Sequence, residues 1–377
     1  MPSSVRSVRV ALAFPGGFEF GGIGRMMLYA TQRWGSMPGA PIWTMIDARG
    51  SGSLCLMPLH LAAAIALLSA GRLLGRFDLL HLNVAGRGST LRKIVLSEVA
   101  RLLDLPTVVH LHDCDYERDL EGRGAFVRRL TVRMFRQARR VIVLGERDRR
   151  TVEDALHVPP RNVVRLANAV PDPGEPPDRR GRPGPVRLLF LGHLDDRKGV
   201  PELLQALTLP ALRDRAWHID LAGGGETRRF RAEARDLGLA NQATFHGWLS
   251  QDRVAALCRN ADIFLLPSHA EGQAVSLLEA MAHGMAIVTT PVGAHLEAVS
   301  PNQEAIILQP GDIDRLGLEL ARLIDDPTLR AQLGAAARRR FLEAFDIDGY
   351  AAKLAAVYTA TTEELRGSSR RRSLAWS

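Results

Sequence analysis

The chain has 377 residues, a formal net charge of +8, 46% apolar residues and 24% charged residues. That length favours two cores over one, and the apolar share excludes a disordered or fibrous chain. Cys55, Cys114 and Cys258 are odd in number and unpatterned, which argues against a disulfide framework or a zinc site and fits a reducing cytoplasm.

Val8–Phe14 reads as the first strand, with no leader peptide expected ahead of it. PGGFEFGGIGR follows, a glycine-rich loop opening a helix at about Ile23. Such glycines allow positive φ or close ligand approach, but a plain turn needs them equally. Further strands are expected at Pro41–Ile46, Leu79–Val84, Thr107–His112 and Val141–Leu144. Helical stretches separate them, so the spacing predicts a parallel doubly wound sheet. The apolar stretch Leu54–Ala70 contains Pro58 and His60 and is shorter than the ~20 residues of a membrane span. It reads as a buried helix.

In VVHLHDCDY, His110 and His112 lie at period two on one face of a strand, with His112 at its carboxyl end. His110 is expected to be a core histidine bonded to backbone. Asp113 and Asp115 form a D-x-D that could hold Mg²⁺ with phosphates, but Asp312/Asp314 and Asp346/Asp348 match it equally well. The basic helix Phe126–Val141 carries a core stripe of Val127, Leu130, Met134 and Ala138. Its Arg128, Arg129, Arg133, Arg136, Arg139 and Arg140 could meet anionic lipid. The whole charge excess is in this half: residues 1–175 hold 24 basic against 16 acidic residues, the remainder 25 of each.

The Pro/Gly-rich stretch Pro171–Pro185 is expected to be an interdomain linker. Strand and helix then alternate again, with strands at Val186–Leu191, His218–Leu221, Thr244–His246, Asp262–Ser268 and Ala286–Val292. A helix is predicted over Gln273–Ala282, stopped by Gly284. Gly311–Tyr358 reads as helical and the basic tail after it as disordered.

Two carboxylates punctuate the strand–helix unit. Glu271 lies in the loop, and Glu279 lies eight residues on, inside the helix. Loops at the carboxyl ends of parallel strands bind ligands, and the amides of Gly272, Gln273 and Ala274 at a helix start would hold phosphate. Glu279 would then face a group ~10–12 Å from the one Glu271 meets, as a sugar and a ribose flanking a diphosphate would lie. The plainer alternative makes Glu271 a helix cap and Glu279 a solvated helix residue.

PSHAEGQAVSLLEAMAHGMAIVTTPVGAHLEAV resembles the Glu-x7-Glu region of retaining family 4 glycosyltransferases. The resemblance implies the α/β GT-B fold, two Rossmann-like domains facing across a cleft. It places an acceptor-side domain at residues 1–172, a linker at 173–185 and a nucleotide-sugar domain at 186–345. A C-terminal helix at 346–365 would return to the first domain, followed by a basic tail at 366–377.

By that resemblance Glu271 contacts the donor sugar, Glu279 the ribose, and His112 the reacting centre. Gly21, Gly22 and Arg25 line the donor side of the first domain, and Gly223 in the AGGGE loop that of the second. The family's Gly-Arg-Leu…Lys-Gly loop keeps Lys198 in register, but His193 occupies the arginine position, with Arg197 as a substitute.

The implied reaction is retaining transfer of a hexosyl group from a UDP- or GDP-sugar to a saccharide or lipid-linked saccharide, in cell-surface polysaccharide or glycolipid assembly. No metal or other cofactor is expected, and the location is cytoplasmic, with an anionic membrane as a further partner. Two other readings stay open: an epimerase or hydrolase on the same scaffold, which needs no acceptor, and a nucleic-acid binder. The second lacks aromatics interleaved with its arginines, so no nucleic-acid partner is expected.

Overall fold

Strand–helix alternation is realised twice, in a computed structural model that describes residues 7–13, 21–50, 54–113, 115–179 and 181–374. The first unit comprises residues 1–168 with 347–377, the second 169–346. Unit 1 contains β1 (Arg9–Ala13), α1 (Gly21–Trp34), β2 (Ile42–Ile46), α2 (Met57–Leu73), β3 (Leu79–Val84) and α3 (Arg87–Leu102). It continues through β4 (Thr107–Leu111), α4 (Tyr116–Glu121), α5 (Ala125–Gln137), β5 (Arg140–Val143), α6 (Glu146–Arg150) and β6 (Val163–Arg165). The strands are parallel in the order β2-β1-β3-β4-β5-β6, so the order reverses beside β1. Apolar runs such as TVVHL are buried throughout, as expected where helices cover both faces of a sheet.

The period-two alternation of β3 sorts those faces. Leu80, Leu82 and Val84 join Leu68 of α2, Ile94 of α3 and Phe135 of α5 in one core, whereas His81 points to the opposite side. Each such fully buried side chain is worth about 1.5–3 kcal/mol.

Unit 2 runs through β7 (Val186–Leu191), α7 (Val200–Ala206), β8 (Trp217–Ala222), α8 (Thr227–Asp236), β9 (Ala243–Gly247) and α9 (Gln251–Asn260). Next come β10 (Ile263–Leu266), α10 (Val275–Ala282), β11 (Ala286–Thr289), α11 (His295–Ala298), β12 (Ile306–Ile307), α12 (Ile313–Asp325) and α13 (Pro327–Ala344). Its parallel order is β12-β11-β10-β7-β8-β9, reversing between β10 and β7. The last helix, α14 (Ile347–Leu374), belongs to unit 1. There it packs on α1: Trp34 Nε1 donates to Ala351 O (3.1 Å), Tyr358 OH meets His81 Nδ1 (2.6 Å), and Arg33 pairs with Asp348.

Three expectations are corrected. The stretch Leu54–Ala70 is not a buried helix: α2 buries only Ala64, Leu68 and Gly71, leaving Leu59 at 68% and Leu67 at 45% exposure. It is apolar all round, so sequence alone could not tell its inner side from its outer. The basic tail is helical as far as Leu374, because α14 continues through it unbroken. The Pro/Gly-rich stretch is packed onto unit 2, with Arg179 donating to the carbonyls of Cys258 (3.1 Å), Ala261 (2.6 Å) and His283 (2.8 Å). Those carbonyls end α9 and α10, where a cation opposes the helix dipole.

Candidate functional site

Loops after β7 and β10 meet where the strand order of unit 2 reverses, the position at which open α/β sheets bind ligands. In the first loop Asp195 Oδ1 accepts from Lys198 N (2.9 Å), closing a tight turn over Asp196–Lys198. Gly199 leaves that turn at φ +70, and a Cβ there would sit 2.1 Å from Pro267 O, so only glycine lets the loops approach. Arg197 then ties them together: its Nη1 donates to Ala270 O (2.6 Å), and its carbonyl accepts from His269 N (2.8 Å).

Glu271 is at the centre. Its Oε1 accepts from Lys198 Nζ and from Ser268 Oγ (2.9 Å), and its Oε2 lies 3.7 Å from Arg197 Nη1. Both members of the Lys198–Glu271 pair are buried. Burial alone would push the Glu271 carboxyl up, but Lys198, buried His295 and Arg197 outweigh it and hold the group below the usual carboxylate range. It is therefore an ion at neutral pH. On the other side Gly293 presses on the same loop, with Ala294 N donating to Gly272 O (2.7 Å).

The helix begins later than expected. Ala274 is extended (ψ 120) and Val275 is the first residue of α10, so Gly272, Gln273 and Ala274 form the lead-in. The clamp from Gly293 and Ala294 keeps this lead-in from coiling. Glu279 is buried on α10, not solvated, and because the helix starts only at Val275 it lies about 6 Å along the axis from that start, so the separation expected from an unbroken helix does not apply.

A neighbouring wall joins Gly192–Leu194 to the 222–226 loop. Leu194 N donates to Gly224 O (2.7 Å) and Glu226 N to Leu194 O (2.9 Å). A Cβ on Gly223 would lie 1.7 Å from Gly192 O. His193 is exposed beside Gly224, on the loop that also carries Arg197 and Lys198.

In unit 1, Gly21 and Gly22 are the exposed first residues of α1, with Arg25 partly buried one turn on. The rest of the glycine-rich loop lies outside the described residues. His112 follows β4 and is bonded through Nε2 to Asn83 Oδ1 (2.8 Å). Asn83 Nδ2 donates to Ala13 O (3.3 Å), so its Oδ1 is the acceptor and His112 Nε2 carries the proton. The Nδ1 lone pair is left as an acceptor. Burial pushes the imidazole down to about 3, so it is neutral at working pH. His110 stacks on His112 with centroids 3.9 Å apart. Its ring nitrogens have no hydrogen-bond partner among the described residues, which corrects the expected bond to backbone. The reason is that His81 and His112 flank it, so their rings occupy the space around it.

Two family models match the chain, "Glycosyl transferase 4-like domain" over residues 21–169 and "Glycosyl transferases group 1" over residues 176–340. The chain belongs to the GT-B glycosyltransferases. Glycogen synthase of Mycobacterium tuberculosis is 33% identical over 183 residues, 48% of this chain and 44% of that protein. An MMP alpha-(1->4)-mannosyltransferase of Mycolicibacterium hassiacum is 37% identical over 165 residues, 43% of this chain and 39% of that protein. The glycosyltransferase thus spans under half the length of these curated relatives. Sucrose-phosphate synthase from Thermosynechococcus elongatus shares the fold with a TM-score of 0.76 at 18% identity, covering 94% of this chain and 98% of that one. Anabaena HepE, solved in complex with UDP and glucose, does so at 0.73 and 17%, covering 93% and 99%.

Several partners in this glycosyltransferase escaped the sequence reading: Asp195, Ser268, Gly293 and His295 around Glu271, and Asn83 and Tyr358 around the histidines. Gly293, after an apolar run and a proline, was the one visible signal, as a glycine at a strand exit. Two of the D-x-D matches begin helices: Asp312 accepts from Arg315 N (3.0 Å), and Asp348 pairs with Arg33. At the third, Asp113 Oδ1 accepts from Asp115 N (3.1 Å).

Proposed function

We propose that this glycosyltransferase moves a hexosyl group from a nucleotide-sugar to an acceptor hydroxyl with retention at the anomeric carbon. The observation that carries the reading is the buried Lys198–Glu271–Ser268 cluster at the strand-order reversal, beside the start of α10. Glu271, held ionised, accepts hydrogen bonds from sugar hydroxyls, and Glu279 does the same for the ribose. Lys198, Arg197, His193 and the first-turn amides of α10 stabilise the leaving diphosphate, a task that needs no metal. Gly223 lets the backbone approach the nucleotide. Gly21, Gly22, Arg25 and the neutral His112 contribute from unit 1, His112 as a hydrogen-bond acceptor near the reacting centre. The donor is a UDP- or GDP-sugar.

The test is calorimetric titration with UDP-, GDP- and ADP-sugars, with and without EDTA. Glu279→Ala should weaken the preferred donor by about 1.5–3 kcal/mol, the worth of a charged hydrogen bond, and binding should survive chelation. Unchanged affinity in the variant removes Glu279 from the ribose. Turnover of donor alone, without acceptor, would favour the epimerase or hydrolase.

A lipid-linked saccharide acceptor at an anionic membrane is supported by the helical layer α2, α3 and α5. The outer side of α2 is apolar, α3 adds exposed Leu91 and Leu102, and Phe126 of α5 is 73% exposed. Beside them a groove of about 740 Å³ is lined by Arg123, Arg128, Arg129, Arg133, Arg136 and His157. Arg123 pairs with Asp119 and Arg133 with Glu98, and apolar surface bordered by several arginines is the composition that binds interfaces. Co-sedimentation with phosphatidylglycerol vesicles should fall as salt rises, and Leu59→Glu/Leu67→Glu or Arg128→Glu/Arg129→Glu/Arg136→Glu should each abolish it. Sedimentation unaltered in both variants would remove this surface as the cause.

A further inference from the structure

Three polar groups on the inner side of α3 are buried without a hydrogen-bond partner among the described residues: Ser89 Oγ, Arg92 Nε and Lys93 Nζ. Lys93 has no exposed surface at all. Of the chain's three lysines, Lys353 is exposed, Lys198 is buried against Glu271, and Lys93 is buried with no hydrogen-bond partner among the described residues. Two adjacent cations kept from water demand a counter-charge, because desolvating an unpaired ion is among the largest penalties in folding.

Their neighbours do not supply one. Arg92 Nη1 reaches only the sulfur of Met57 (3.3 Å). Arg49 adds a further positive charge close by. Among the described residues Asp47 is the carboxylate that acts on both cations, and its Oδ1 already accepts from the amides of Arg49 and Gly50, each at 2.9 Å.

The position is that of a ligand site. Helix α3 leaves the carboxyl end of β3, next to the strand-order reversal of unit 1. Ser89 is its third residue, and long side chains on a helix lean toward its N-terminus. Lys93 and Arg92 therefore reach back toward the first turn at the positive dipole end of α3, Arg92 Nη1 lying beside Gly88, while the amides of Ser89 and Thr90 donate to Gly86 O and the Asp113 and Asp119 carboxylates stand at Gly86. Gly86 sets the entry, at φ +54, with Asp113 so close that a Cβ would lie 1.9 Å from its Oδ2.

We infer that Ser89, Arg92, Lys93 and the first turn of α3 form a binding site for a phosphate ester or diphosphate carried by the acceptor. This rests on the reading of unit 1 as the acceptor side, and it narrows the acceptor to a phosphorylated molecule. Burial and then Arg92 depress Lys93 to about 7. An incoming anion raises that value, so binding takes up a proton and weakens as pH climbs through the window above 7. Arg92 on α3, Asp47 and Arg49 after β2, and His81 on β3 are the charged or titratable groups that bear on this.

The full chain is titrated with glucose 6-phosphate, a short-chain alkyl diphosphate and UDP, from pH 6.5 to 9. The phosphate esters should bind without displacing UDP. Lys93→Met should weaken them at least tenfold and flatten their pH profile, leaving UDP affinity within twofold. Methionine relieves a buried charge, so the variant should melt no lower than the parent. Ser89→Ala, which removes only a hydroxyl, should weaken the esters severalfold. Preference for glucose 6-phosphate marks a soluble acceptor, and preference for the alkyl diphosphate a lipid-linked one. Esters that fail to bind, are fully displaced by UDP, or bind both variants as they bind the parent overturn the inference. Failure of UDP and UDP-sugars to bind strikes instead at the donor reading.

Discussion

Lys198→Ala should cost unit 2 about 3–5 kcal/mol and remove at least two orders of magnitude of transfer activity. The stability loss follows from leaving the Glu271 carboxylate buried against Ser268, His295 and a distant Arg197, without its close cation. The double variant Lys198→Met/Glu271→Gln should recover most of the stability, because a neutral pair has no ion to desolvate, yet remain inactive. Calorimetry of the three proteins separates the two effects; a double variant as unstable as the single one would place the loss elsewhere. Acid provides a second readout. A carboxyl depressed in the folded state contributes stability that is complete above its unfolded pKa of ~4.3 and is lost as pH falls through the lower folded value. Glu271→Gln should remove that acid-sensitive part.

Gly293→Ala should be nearly as damaging, although residue 293 is expected to touch no substrate. At φ +56 an alanine pays about 1–2 kcal/mol for the left-handed conformation alone. Its Cβ would also lie 2.0 Å from Glu271 O and 2.1 Å from Gly272 O, and backbone oxygens cannot rotate away. The loop carrying Glu271 must shift, so donor affinity should fall at least tenfold. Gly238→Ala is the control, since φ there is +79 but nothing among the described residues lies within 4 Å of the new atom. It should show the conformational penalty without the displacement. Equal effects at the two glycines would mean that loop position is not what Gly293 protects.

The parallel strands were legible because a strand buried on both faces is a short apolar run. Leu79–Val84 and Val186–Leu191 come out with the boundaries read from sequence. Val163–Arg165 and Ile306–Ile307 did not, being three and two residues long at sheet edges, too short for any period to register. In the candidate site, Glu271 and Lys198 were visible one at a time, through their motifs. Their pairing was not, because 73 residues of chain separate them and only the strand order brings the loops together. Lys93 was hidden for a related reason. In LRKIVLSEV it reads as one polar position of an amphipathic helix, and only packing shows that it faces inward.

The placement of α14 also bears on how the protein is made. The first unit needs the last helix: Tyr358 fills the space over His81, Ala351 receives the Trp34 indole, and Asp348 answers Arg33. Chains emerge from the ribosome N-terminus first, and domains generally fold as they emerge. Here unit 1 stays incomplete until α14 has been made, with the apolar side of α1 and one face of its sheet still wet. The unit made second can finish first. A nascent chain arrested near residue 346 should therefore yield a protease-resistant unit 2 joined to a unit 1 that binds chaperones, and release of the final helix should close it.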